Sequence, residues 1–110
     1  MSREKGNFAE KRAIFFLKEN GFEIIETNFY AKKLGEIDII AKKNSVYHFC
    51  EVKSGIDYDQ AVANITPNKL SKIKRSVEYY LQLKKIDSAF CIDVIIVDDL
   101  NISFVENITI

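Results

Sequence analysis

Between Val46 and Val97 the chain reads as strand, helix, strand, and that order leaves few ways to fold it. Residues 46–53 (VYHFCEVK) and 90–97 (FCIDVIIV) are apolar runs of strand length. Between them, Thr66-Pro67 opens a helix with a capping residue and a proline at the first helical position. Leu70, Ile73, Val77, Tyr80 and Leu81 recur at helical spacing behind it. Parallel strands need a crossover of about a dozen residues or more, usually a helix. The two strands are therefore expected to lie parallel, in a sheet flanked by helices.

The rest of the chain fits around that unit. Residues 3–20 read as a helix with Ala9, Ala13, Phe16 and Leu17 on its apolar face, and Asn20-Gly21 suits its stop. Residues 22–29 read as a strand. Gly35-Glu36-Ile37-Asp38-Ile39-Ile40-Ala41 reads as another, joined to the strand at Val46 by four residues, Lys42-Lys43-Asn44-Ser45, a hairpin length. Residues 54–66 show weak periodicity and read as a loop with room for one short helical turn. Asp98-Asp99 marks a turn before a last strand at residues 102–105. The expectation is an α/β domain spanning residues 1–110, with a mixed sheet of about five strands.

Composition narrows the class. The 110 residues are 47% hydrophobic, enough for a core and too many for a disordered chain. No apolar run approaches the ~20 residues of a membrane helix. The charged start, Met1-Ser2-Arg3-Glu4-Lys5, does not resemble a signal peptide. Cys50 and Cys91 lack CxxC spacing and read as free thiols in a reducing cytoplasm. Net charge is zero, which argues against binding nucleic acid by charge alone. The distribution is uneven: residues 1–86 hold sixteen bases and eleven acids, residues 87–110 five acids and no base. A basic face on one side is compatible with that asymmetry.

The chemistry lies in polar residues placed where strands should be apolar. Side chains alternate along a strand, so Asp38 shares a face with Glu36 and Ile40, and Glu51 and Lys53 share one with Tyr47 and Phe49. If the two faces coincide, two carboxylates and an ammonium converge. Like charges at close range repel and buried carboxylates are costly, so such a gathering calls for a cation. Mg²⁺ is commonly held by one or two carboxylates plus phosphate oxygens. Each residue also has a plain reading: Glu51 and Lys53 as a solvated strand face, Glu10 as a glutamate bordering its helix's apolar stripe, and Lys69, Lys72, Lys74 and Arg75 as a solvated basic face. Basic residues early in a helix oppose its dipole, which favours an anion nearby. His48, the single histidine, reads as structural. Asp93 interrupts an apolar strand and needs a hydrogen-bond partner or a cation if buried.

In combination the motifs resemble a family. Gly6-x-x-Ala9-Glu10, Asn20-Gly21-Phe22, Asn28, Gly35-Glu36-Ile37-Asp38, Phe49-x-Glu51-Val52-Lys53 and Pro67-x-Lys69 look like the YraN-like family of small bacterial proteins. That family is related to the PD-(D/E)XK nuclease superfamily and is similar to archaeal Holliday junction resolvases. The resemblance covers roughly residues 6–97. It implies a restriction endonuclease-like fold, with Asp38 as the metal-binding aspartate, Glu51 and Lys53 as the Glu-x-Lys pair, and Glu10 as the accompanying helix carboxylate. Lys69 matches a lysine near the start of the family's second helix. Two departures stand out: Ser54-Gly55 where the family usually carries an arginine soon after the Glu-Val-Lys motif, and Tyr30 where it often has another.

The expectation is a metal-dependent DNA endonuclease acting on branched or single-stranded DNA. Asp38 and Glu51 would hold Mg²⁺ or Mn²⁺, with the Val52 carbonyl as a candidate third ligand. Lys53 would orient water or stabilise the transition state, and Glu10 would assist a second metal or position Lys53. Lys69 and Lys72 would hold the DNA backbone. The alternatives left open are a nucleic-acid-binding or partner-binding module of the same fold without turnover, and a small subunit that pairs with another protein through an exposed sheet edge; a homodimer is also left open.

Overall fold

The computed structural model describes residues 2–55 and 57–108, with side chains from Phe8 onward. Met1, Ile56 and residues 109–110 lie outside it, as do the side chains of residues 2–7 in the charged N-terminal start. Helix α1, Ser2–Glu19, opens the chain. Ala9, Ala13 and Leu17, one helical turn apart each, are buried on its inner face. The helix ends as Asn20-Gly21 suggests: Gly21 takes φ +87°, and Phe22 N–H donates back to the Leu17 carbonyl at 2.9 Å.

Strand β1, Glu23–Tyr30, leads through a single 3-10 turn, Lys32–Leu34, to β2, Glu36–Lys43, and β3, Val46–Ser54. The β2–β3 connection is two residues rather than four. Asn44 and Ser45 take φ +52° and +66°, the left-handed pair that matches strand twist in tight hairpins, so Lys42 and Lys43 join the ladder. The loop at residues 54–66 contains a short helix, α2, Tyr58–Ala63, capped by the Asp57 carboxylate accepting from Gln60 N–H at 2.9 Å. Helix α3, Pro67–Leu83, begins at Thr66, whose hydroxyl accepts from Lys69 N–H at 3.2 Å. Strands β4, Phe90–Val97, and β5, Ile102–Val105, fall where the sequence places them.

The five strands form one mixed sheet in the order β1-β2-β3-β4-β5. β3 and β4 are parallel, bridged by the α3 crossover, and the other neighbours are antiparallel. The helices divide the core. Under α1, Ala9, Ala13 and Leu17 pack with Ile39, Ala41, Cys50, Ile95 and Val97. Under α3, Val77 and Tyr80 pack with Ile40, Phe49 and Ile92. Apolar side chains on both faces of the central strands explain why β4 reads as a continuous apolar run.

Candidate metal and phosphate site

Strict alternation would put Ile37 and Ile39 on one face of β2. Instead Ile37 packs under α3 and Ile39 under α1. The irregularity falls on Asp38, where the β2–β3 pairing also stops: the register runs from Lys43↔Val46 to Ile39↔Cys50 and no further. Past that point Val52 N–H donates to the Asp38 carboxylate at 2.8 Å. A side chain thus replaces a rung of the ladder, and β2 and β3 part around it. Gly35 lies just upstream at φ +136°, and a Cβ there would sit 3.6 Å from the Ser76 hydroxyl of α3. That distance is ordinary contact, so it is the positive φ rather than crowding that calls for glycine where the chain enters β2.

Glu51 and Lys53 project on the α3 side, as their alternation with Tyr47 and Phe49 requires. Their charged groups pair at 3.5 Å, with the glutamate side chain 26% and the lysine 35% exposed. Together with Gly35, Glu36, Lys69 and Lys72 they line a cavity of about 250 Å³. The first turns of α3 therefore bring two of the four basic residues to the carboxylate. Lys74 and Arg75 do not line it.

Glu10 comes from α1, on the opposite face. Asn28 of β1 donates through its side-chain amide to both Glu10 oxygens, at 3.1 and 3.2 Å. Asn28 takes φ +51°, a left-handed conformation that asparagine tolerates better than most residues. The Glu10 charge acts on both strand carboxylates. Burial pushes the Asp38 pKa up to about 7, with the Glu51, Glu10 and Glu36 charges adding and the Val52 N–H opposing. Burial also raises Glu51, against the pull of Lys53 and with help from Glu36 and Glu10. The Glu10 and Glu36 charges thus add to the proton affinity of both Asp38 and Glu51 at the mouth between β2 and β3.

The donor set fits a hard divalent cation: two half-buried carboxylates of raised proton affinity, of which Glu51 lines the lysine-bearing cavity and Asp38 does not. Glu10, Asp38 and Glu51 do not close into one tight cluster. Among the described residues, the group of three whose ligand atoms share a 4.8 Å span is a different one, His48, Cys91 and Asp93. Two carboxylates, with the remaining positions left to water and phosphate, is the fuller match to magnesium's habits.

Two residues gained roles that sequence reasoning did not assign. Asn28 holds Glu10, and an asparagine inside a strand, where it is disfavoured, was the available signal. Glu36 contributes charge to both carboxylates. The two departures from the family pattern are open to solvent: Tyr30 is 71% exposed, and Gly55 is exposed at φ +77°.

His48 and Asp93 belong to the α1 side of the sheet. The buried Asp93 carboxylate meets His48 Nδ1 at 2.7 Å and accepts from Asn107 N–H at 2.7 Å. Its interruption of an apolar strand is thereby satisfied.

The site lies within a segment shared with known proteins. The model of the family described as "Uncharacterised protein family UPF0102" matches residues 9–97. A UPF0102 protein of Aliarcobacter butzleri (strain RM4018) is 62% identical over 109 residues, covering 99% of each chain. UPF0102 proteins of Sulfurimonas denitrificans and Wolinella succinogenes are 52% and 51% identical over 110 residues, covering all of both chains. Matched from α1 through β4, the chain belongs to the UPF0102 family.

Proposed function

We propose that the protein is a metal-dependent nuclease that cleaves phosphodiester bonds in branched or single-stranded DNA. The observation that carries this reading is the Asp38–Glu51 pair. Burial raises the proton affinity of both carboxylates, the Glu51 charge adds to the effect on Asp38, and lysines line the cavity that Glu51 borders. The sequence resemblance to the PD-(D/E)XK superfamily points the same way. When bound, Mg²⁺ or Mn²⁺ would lower the pKa of a water and offset charge on the phosphate.

The remaining work falls to the protein. Val52 N–H fixes one Asp38 oxygen. Lys53, tethered by Glu51, sits where it can orient a water or meet charge developing on a phosphoryl oxygen. Asn28 holds Glu10 in reach of the pair, where its charge strengthens the demand for a cation. Lys69 and Lys72, across the cavity, fit the role of backbone contacts.

The test is a panel of branched, nicked, flapped and linear DNAs incubated with Mn²⁺. Wild type is expected to cut at least one structured substrate, and Asp38→Asn or added chelator to abolish cutting. Salt-sensitive DNA binding with no cleavage by wild type would instead assign the fold to a binding module.

A further inference from the structure

We infer that His48, Cys91 and Asp93 form a second metal centre, for a zinc-class divalent cation, with Glu106 closing the coordination. The inference is independent of the nuclease reading, because the centre lies on the α1 side of the sheet and uses different donors.

The parallel β3–β4 register places His48 directly opposite Cys91, and Asp93 follows two residues along the same strand and so on the same face. One nitrogen, one sulfur and one oxygen atom from these side chains all lie within 4.8 Å of one another. Ligands held at about 2.0–2.3 Å from a zinc ion can stand at most about 4.6 Å apart. The trio is therefore within a small side-chain adjustment of closing on one ion. Random surface acids do not share this character: His48 is 4% exposed, Asp93 fully buried and Cys91 half-buried.

A cavity of about 420 Å³ gives access. His48, Cys91 and Glu106 line it, while Asp93 does not. Asp93 sits behind, its Oδ2 2.7 Å from His48 Nδ1, so that on binding both atoms would turn from each other to the ion. The exposed Glu106 is close enough that its charge raises both Cys91 and Asp93, after the larger effect of burial on each. The neighbouring Asn107 N–H is already tied to Asp93, and Ile108 N–H donates to the Ile92 carbonyl at 2.7 Å. The segment after β5 is thus held beside the cavity that Glu106 lines with His48 and Cys91. Lys43 also lines the cavity, but its ammonium donates to the Asn20 carbonyl at 2.8 Å and lies over the Phe22 ring. Thiolate and imidazole donors select a zinc-class ion over magnesium, which separates this centre from the carboxylate site.

Titration of the reduced protein with Co²⁺, a coloured substitute for zinc, tests the assignment. Wild type is expected to develop a thiolate-to-cobalt charge-transfer band that Zn²⁺ displaces. Cys91→Ser should lose the band, Glu106→Gln, a solvent-exposed change, should weaken binding about tenfold or more, and Asp38→Asn should leave both untouched. No band in wild type, a band that survives Cys91→Ser, or an affinity unmoved by Glu106→Gln overturns the proposal.

Discussion

Asp38 stands where β2 parts from β3 while staying paired with β1, and its proton reports on the site. In the unfolded chain the carboxyl releases its proton near 3.8, and in the fold only near 7. Across that window the unfolded state binds fewer protons than the folded one. Stability therefore falls as pH rises from about 4 to about 7 and levels off above. Asp38→Asn keeps an oxygen for the Val52 N–H and has no proton to lose. Its melting temperature relative to wild type should rise through that window and be equal or higher at pH 8 in chelator, while Mn²⁺ should stabilise only the wild type. A structural ion-pair network predicts the reverse, since breaking a buried pair often costs about 3–5 kcal/mol. A mutant melting far below wild type in chelator would reduce the nuclease reading to fold analogy.

Elements decide which residues reach the site. Helix α3 begins at a threonine cap, so its first two turns carry Lys69 and Lys72 to the cavity. If they contact phosphates, Lys69→Ala and Lys72→Ala should each weaken DNA binding and reduce the salt slope by about 0.7–0.9. Unchanged affinity and slope in the double variant would leave them as solvated surface. This helix was legible in the sequence because cap, proline and apolar stripe agree. So were α1, β4 and β5, where a single period or one continuous apolar run dominates. The short α2 was legible only as room for one helical turn, since six residues carry little periodicity and its signal is one capping aspartate. The turn length was misjudged because Lys42 and Lys43 look like loop residues. Both pair with β3 instead, and their ammonium groups lie over the Tyr47 and Phe22 rings. At the site, alternation grouped Glu51 and Lys53 correctly. It could not show that the β2–β3 pairing ends at Asp38 or that Asn28, at φ +51°, reaches Glu10, because both depend on where the chain departs from a regular ladder.

At the scale of the molecule, the parallel β3–β4 pair with a helix on each face accounts for the placement of both candidate centres. The α3 crossover returns its basic first turns over the end of β3, where Glu51 and Lys53 emerge. The α1 helix supplies Glu10 from the other face. Polar intrusion into the sheet is otherwise tightly managed: among the described residues, every buried side-chain nitrogen or oxygen has a hydrogen-bond partner. The Asp38–Glu51 pair is different, because its hydrogen bonds leave the mutual repulsion of the carboxylates in place, and a cation would remove it. Calorimetric titration with Mn²⁺ at pH 8, above the Asp38 transition, measures that claim most directly. The account predicts a saturable site in the wild type that Asp38→Asn and Glu51→Gln each weaken and that the double variant lacks. Equal Mn²⁺ binding by the wild type and the double variant would contradict it.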